Sequence, residues 1–244
     1  MTFGSLFAGI GGLDLGFERA GMECRWQVEI DPYCQKVLNR HWPNVGKWDD
    51  VRTLPPAHAE DWHVDDIWGG FPCQDISDAG KKTGIHGKES GLFFEAIRVV
   101  DQLRPKRLVL ENVAAILLRR RGMDAVLREM ARLGYVCEWG VLHAAGVGAN
   151  HRRARMFLYA HTDRGHTTKK WTPMGRSWRV GRPEDATKVH VVGRDQTTQE
   201  PGIHRVANGV PNQLDRLRGL GNSIVPQVAE WIGKRIVEHG KDEM

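Results

Sequence analysis

No apolar run approaches the roughly 20 residues that a membrane helix needs, and mean hydropathy is −0.45, which excludes helical membrane spans. Cysteine is scarce. Cys24, Cys34, Cys73 and Cys137 stand far apart, without a Cys-x-x-Cys pair for zinc or the density of a disulfide scaffold. Reduced thiols, no metal site and a cytoplasmic location are therefore expected. The stretch Met1–Gly9 has no basic residues ahead of an apolar core, so no signal peptide is expected there. Internal repeats and low-complexity tracts are missing too. At 244 residues the chain can hold one full hydrophobic core and a small appendage, not two ordinary domains.

Positive charge is abundant, and it is local. The formal net charge is +5. Between His151 and Leu220 there are 14 Lys and Arg against 6 Asp and Glu, while the rest of the chain holds 21 basic and 24 acidic residues. Such a segment is expected where one face meets a phosphate backbone, or where a loop-rich surface is merely solvated.

Along the first two-thirds of the chain, short apolar runs alternate with stretches of helical periodicity. Strands are predicted at Thr2–Phe7, Cys24–Glu29, Asp66–Gly69, Arg107–Glu111, Val136–Val141 and Arg155–Ala160. Helices are predicted at Leu13–Ala20, Tyr33–His41, Leu92–Leu103 and Asp124–Leu133, with Asp31-Pro32 a start signal and Arg104-Pro105 a stop. This alternation predicts an α/β fold: a doubly wound, mostly parallel sheet with helices on both faces. From Thr162 to Gln213 the pattern gives way to Gly, Thr, Arg and Pro, with only Lys188–Val192 strand-like. Helical periodicity returns over Leu214–Leu220 and Val225–Glu238. The expected organisation is one domain, 1–161 and 214–244, carrying a basic insertion at 162–213.

Phe7-Ala8-Gly9-Ile10-Gly11-Gly12 lies between the first strand and the first helix. Glycines there let a ligand approach the backbone beside a helix N-terminus, or serve packing alone. The spacing departs from the Gly-x-Gly-x-x-Gly of dinucleotide sites. Glu29 ends the second strand, where a carboxylate can accept hydrogen bonds from both ribose hydroxyls of a nucleoside. Asp49-Asp50-Val51 lies near the third strand position, where it can contact an adenine.

Gly69-Gly70-Phe71-Pro72-Cys73-Gln74 ends a short strand at the edge where open α/β sheets place ligands. Cys24, Cys34 and Cys137 read as small buried hydrophobes. Cys73 differs: the double glycine would admit another molecule to the backbone, Pro72 restricts the turn, and a polar loop containing Ser77 follows like a lid. With a free pKa of about 8.5, such a thiol needs positive charge or a helix N-terminus for activation. Glu111-Asn112-Val113 closes a strand on the same edge. A carboxyl kept partly protonated by burial can donate to a ring nitrogen there, or it can be a helix N-terminal charge. Arg153 and Arg155 would share one strand face and could hold a carbonyl oxygen, a phosphate or Glu111.

Taken in order, these segments resemble the DNA (cytosine-5)-methyltransferase family. The glycine turn resembles its first motif, Val28–Asp31 its second, Gly69–Gln74 its Pro-Cys loop and Glu111-Asn112-Val113 its glutamate motif. His151–Arg155 resembles its arginine motif, and Gly221-Asn222-Ser223-Ile224-Val225-Pro226 its last, which returns the C-terminal helix to the cofactor. The resemblance implies a Rossmann-like methyltransferase fold, S-adenosylmethionine as cofactor and a cytosine flipped out of double-stranded DNA as substrate. It implies that Cys73 adds to ring carbon 6, that Glu111 hydrogen-bonds or protonates ring nitrogen 3, and that Arg155 holds the ring carbonyl oxygen, with Arg153 a further catalytic residue. Phe7, Gly9, Gly11, Gly12, Glu29, Asp50, Pro72, Leu92, Asn222 and Ser223 match the family's cofactor positions. Gln74, Ser77, Lys169, Lys170, Arg176 and Arg179 are the expected DNA contacts.

The sequence departs from the family pattern in places. His151 stands where the arginine motif commonly begins with Gln, and Arg205–Leu220 only partly follows the motif preceding Gly221. The stretch between Ala160 and Arg205 is much shorter than the usual target-recognition domain, which implies a short recognition sequence or weak specificity. Methylation of transfer-RNA cytosine, or DNA binding without catalysis, are the alternative readings.

Overall fold

Alternation of apolar residues along the strands divides the core into two layers. The structure, a computed structural model, describes residues 1–55, 62–73, 85, 91–118, 121–162, 179–181 and 213–241. Its strands are β1 (Thr2–Leu6), β2 (Glu23–Val28), β3 (Gly46–Trp48), β4 (Asp66–Gly70), β5 (Arg107–Val113), β6 (Tyr135–His143), β7 (Ala154–Thr162) and β8 (Arg179–Gly181). They form one sheet in the order β3-β2-β1-β4-β5-β7-β6-β8. The pairings from β3 through β5 are parallel, while β7 pairs antiparallel with β5 and β6, and β8 antiparallel with β6. Only β7 and β8 thus run against the rest, and the expected mostly parallel sheet is present with an antiparallel margin.

The helices are α1 (Gly12–Arg19), α2 (Pro32–His41), α3 (Leu92–Leu103), α4 (Met123–Arg132), α5 (Gln213–Asn222) and α6 (Pro226–Lys241). On one face, Ile67, Leu108, Leu110 and Leu158 pack with Phe93, Val100, Val126 and Met130 of α3 and α4. On the other, Trp68, Val109, Phe157 and Tyr159 pack with Phe17 of α1 and Val228, Ala229 and Ile232 of α6. Neighbouring strand residues go to opposite layers, as period-two apolarity requires. Helices on both faces make the fold doubly wound.

The local signals act as their chemistry dictates. Asp31 caps α2, its carboxylate accepting from the Tyr33 and Cys34 amides, with Pro32 in the first turn. Arg104 ends α3 in a left-handed conformation before Pro105. Two of the strands were not predicted. β3 and β8 have three residues each, too few to show a period. β8 falls within 162–213 and adds a margin strand to the sheet, whereas Lys188–Val192 lies outside the described residues.

Strand order reverses between β1 and β4, so the loops after β1 and β4 diverge and leave a crevice at the strands' carboxyl ends. At the opposite ends, Asp66 and Arg107 are register partners on β4 and β5 and form a buried ion pair at 2.5 Å. Burial there pushes the Asp66 carboxyl up to about 6 against the pull of Arg107.

Candidate active site

The crevice holds a cleft of about 400 Å³, lined by the loops after β1, β2 and β4, the end of β5, Arg155 on β7 and the α5–α6 junction. Of the expected cofactor residues, Phe7, Gly9, Gly12, Glu29, Asp50, Pro72, Leu92, Asn222 and Ser223 all line it.

Gly9 adopts φ +58°, and a Cβ there would meet nothing within 4 Å, so its bare backbone faces open space. Its amide donates to Glu29 at 2.7 Å, and the Asp31 amide donates to the other oxygen of that carboxylate at 2.8 Å. Burial raises the Glu29 pKa, and these amides pull it back. A carboxylate offers about four acceptor positions, so two amides leave capacity for hydroxyl donors.

Some assignments change. Gly11 is not in the cleft: its Cα packs beneath the Trp42 ring and Leu38, with φ +82°, and it serves as the α1 cap. Gly12 lines the cleft, but what forbids a Cβ there is the Ile224 carbonyl and Ser223 hydroxyl, packed directly on it. Gly69 and Gly70 likewise admit protein rather than ligand. A Cβ would lie 2.9 Å from the Leu6 carbonyl in the first case and 2.9 Å from a Glu111 carboxylate oxygen in the second. Asp50 reaches the cleft with its carboxylate already engaged by the Arg52 amide and guanidinium, at 2.5–3.0 Å. That pairing holds its pKa below the usual carboxylate range.

Cys73 follows β4 through Phe71 and Pro72 and is half-buried in the cleft wall, while Cys24, Cys34 and Cys137 are buried. Glu111 and Arg155 lie diagonally across the β5–β7 pair, where Val113 faces Arg155, and their side chains pair at 3.1 Å. Burial lifts Glu111 to about 7, although Arg155 and Arg153 both oppose the shift. Burial also raises the Cys73 pKa, and the Glu111 charge adds to it, again against the two arginines. The positive charge expected near the thiol is present. Desolvation outweighs it, so the thiol form prevails at neutral pH.

Arg153 does not share the strand face of Arg155. It precedes β7 with φ +32°, and its guanidinium donates to the carbonyls of Gly221 at 2.8 Å and Ser223 at 2.5 Å. Sequence reasoning also passed over two residues. Ile30 lines the cleft while 62% exposed, an apolar surface beside Glu29 of the kind a purine face would cover. Asn112 is buried, and its amide donates to the Phe71 carbonyl at 3.0 Å, fixing the turn that carries Cys73. A hydrophobe after a strand reads as core, and an Asn inside an apolar strand shows no partner until the sheet is assembled. Gln74, Ser77, Lys169, Lys170 and Arg176 lie outside the described residues, and the Arg179 backbone pairs with Trp139. Among the described residues, no helix is long and apolar enough to cross a membrane.

Known proteins share this chain's sequence pattern and fold. A sequence model of C-5 cytosine-specific DNA methylases matches residues 1–190. Type II methyltransferase M.CviJI of Paramecium bursaria Chlorella virus IL3A is 35% identical over 155 residues, 64% of this chain and 41% of that protein. Type II methyltransferase M.AquIA of Picosynechococcus sp. is 33% identical over 171 residues, 63% of this chain and 69% of that one. Of several other curated relatives, M.CviJI among them, the chain spans less than half the length. The solved methyltransferase EhMeth of Entamoeba histolytica shares the fold, with TM-score 0.67 over 98% of both chains at 14% identity. The chain belongs to the C-5 cytosine-specific DNA methylase family.

Proposed function

We propose that this protein methylates carbon 5 of a cytosine flipped out of double-stranded DNA, through a transient bond to Cys73. The observation that carries the reading is convergence. Cys73, Glu111 and Arg155 come from three elements to one wall of a cleft that also contains Gly9, Glu29 and Asn222.

S-adenosylmethionine suits the cleft. The open space over Gly9 leaves room where a Cβ would stand, Glu29 can accept from ribose hydroxyls, and Ile30 offers an apolar surface to a purine. When bound, the cofactor supplies an electrophilic methyl on a sulfonium. Asp50, paired with Arg52, has less to offer an adenine than a free carboxylate would.

On the protein side, Cys73 sulfur adds to ring carbon 6 as Glu111 gives its proton to ring nitrogen 3, which makes carbon 5 an enamine-like nucleophile. Arg155 holds the ring carbonyl oxygen and keeps Glu111 aimed. After carbon 5 is methylated, its proton passes to water, the carbon–sulfur bond breaks, Cys73 leaves as a thiolate, and ring nitrogen 3 returns its proton to Glu111. A carboxyl with pKa of about 7 fits this role, holding a proton in about half the molecules at neutral pH. The basic 162–213 segment, with Gln74 and Ser77, would meet the phosphates and offset the cost of flipping, a few kcal/mol. Its small size favours a short recognition sequence.

Duplex DNA carrying 5-fluorocytosine tests this reading, because fluorine blocks loss of the carbon-5 substituent. With S-adenosylmethionine present, wild type should form an adduct that survives denaturation, and Cys73→Ala should form none. No adduct with wild type, or an equal one with the variant, refutes the proposal. Tritiated methyl transfer to transfer RNA but not to duplex DNA would refute the substrate.

A further inference from the structure

We propose that Arg153 is a positioning residue that fastens the C-terminal wall of the cofactor cleft to the strand carrying Arg155. This rests on reading the cleft as a S-adenosylmethionine site. Gly221, Asn222, Ser223 and Ile224 form that wall, where α5 ends and the chain runs without helical structure into α6. The last carbonyls of a helix have no partner within it. The Arg153 guanidinium takes one of them, that of Gly221, together with the Ser223 carbonyl just beyond the helix. A cation at this end also opposes the negative pole of the α5 dipole.

Two further observations place the wall between fixed supports. Gly12, at the start of α1, sits against the Ser223 hydroxyl and the Ile224 carbonyl so closely that no Cβ would fit. Arg153 bonds the same segment through Ser223 and adopts φ +32°, a conformation that side-chain-bearing residues hold only when their surroundings compel it. The wall is therefore set between the first helix and the entry to β7. Arg155, two residues on, pairs with Glu111, so one short segment reaches both the cofactor wall and the catalytic carboxyl. Arg153 also lies near enough to Glu111 and Cys73 to act on their charge. A direct catalytic role would work through that field; a positioning role works through the wall.

The test compares wild type with Arg153→Ala and Arg153→Lys. Calorimetry measures S-adenosylmethionine binding without DNA, hydrogen exchange follows the amides of residues 219–228, and steady-state kinetics separate KM for the cofactor from kcat. We expect Arg153→Ala to weaken binding at least about tenfold, the loss of charge-assisted bonds to two carbonyls. Exchange across 221–228 should quicken, and KM for the cofactor should rise by a larger factor than kcat falls. Lysine, which can bridge fewer acceptors, should restore part of the affinity, and it serves alone if the alanine variant does not fold. Unchanged affinity and exchange, or a fall in kcat with binding intact, overturns the proposal. Wild type that binds no S-adenosylmethionine overturns the cofactor reading instead, while hydrogen exchange still reports on the clasp without any ligand.

Discussion

The ionisation of Glu111 gives the sharpest quantitative prediction. A carboxyl at 4.5 in the unfolded chain and about 7 in the fold binds more protons when folded throughout that interval. Stability must therefore fall as pH rises from 4.5 to 7, because the unfolded state binds fewer protons there. At about 1.36 kcal/mol per pH unit, the loss between pH 5 and pH 8 comes to roughly 2–3 kcal/mol. Asp14, Asp66 and Glu138 are raised by burial as well and bend the curve the same way, so the wild-type profile alone does not isolate Glu111.

Glu111→Gln isolates it. Glutamine keeps an oxygen to accept from Arg155 and has no proton to lose. Urea unfolding of both proteins at pH 5, 6.5 and 8 should show wild type losing that same roughly 2–3 kcal/mol relative to the variant across the range. Parallel profiles would mean that Glu111 keeps its ordinary pKa. Wild type gaining on the variant as pH rises would mean that Arg155 outweighs burial, and the carboxyl would then hold no proton to give a ring nitrogen. The variant should also lose about 10²–10⁴-fold in kcat, the usual share of a positioned general acid.

Gly9→Ala should cost about 1–2 kcal/mol in thermal unfolding, since the penalty is backbone strain alone, yet reduce S-adenosylmethionine affinity more than tenfold by calorimetry. A variant that binds as wild type does would remove the cofactor from that turn. Asn112→Ala strands the buried Phe71 carbonyl, at about 1–3 kcal/mol, and loosens the Cys73 turn. Single-turnover kinetics should show a slower methyl-transfer step with cofactor binding unchanged. Iodoacetamide followed by mass spectrometry should label Cys73 alone in the native protein, slowly at pH 7 and faster above pH 9. Labelling of Cys24 or Cys137 at a similar rate would contradict their burial.

Much of the sheet was legible because its signals are local. The Leu92–Leu103 helix has the predicted bounds, and Asp31-Pro32 starts α2 as its chemistry requires. The cleft residues were also legible, since motifs at strand ends converge wherever a parallel sheet assembles. What stayed hidden depends on distant neighbours. Nothing near Gly70 in the chain shows that Glu111, on the adjacent strand, occupies the space a Cβ would take. Arg153 and Arg155 share the spacing of a strand face, but β7 begins between them and the backbone turns at Arg153, which sends one guanidinium to the C-terminal wall and the other to Glu111. Asp50 looked available until its own neighbour Arg52 folded back on it, a contact that spacing permits but does not require.

The resting charges of the site also account for how a thiol that titrates high could serve as the nucleophile in the proposed mechanism. Burial and the Glu111 carboxylate both raise Cys73. Burial raises Glu111 too, so the group that suppresses the thiolate is itself close to neutral near pH 7. Protonating Glu111 removes a negative charge beside Cys73 and leaves the Arg155 and Arg153 guanidinium groups to favour the thiolate. The acid needed at ring nitrogen 3 and the thiolate needed at carbon 6 thus belong to one protonation state, each form stabilising the other. Replacing Glu111 by glutamine should therefore lower the pH at which Cys73 is alkylated as well as abolish proton donation. An alkylation profile that does not move would show that the thiol and the carboxyl are electrostatically independent, and that Cys73 takes its reactivity from another source.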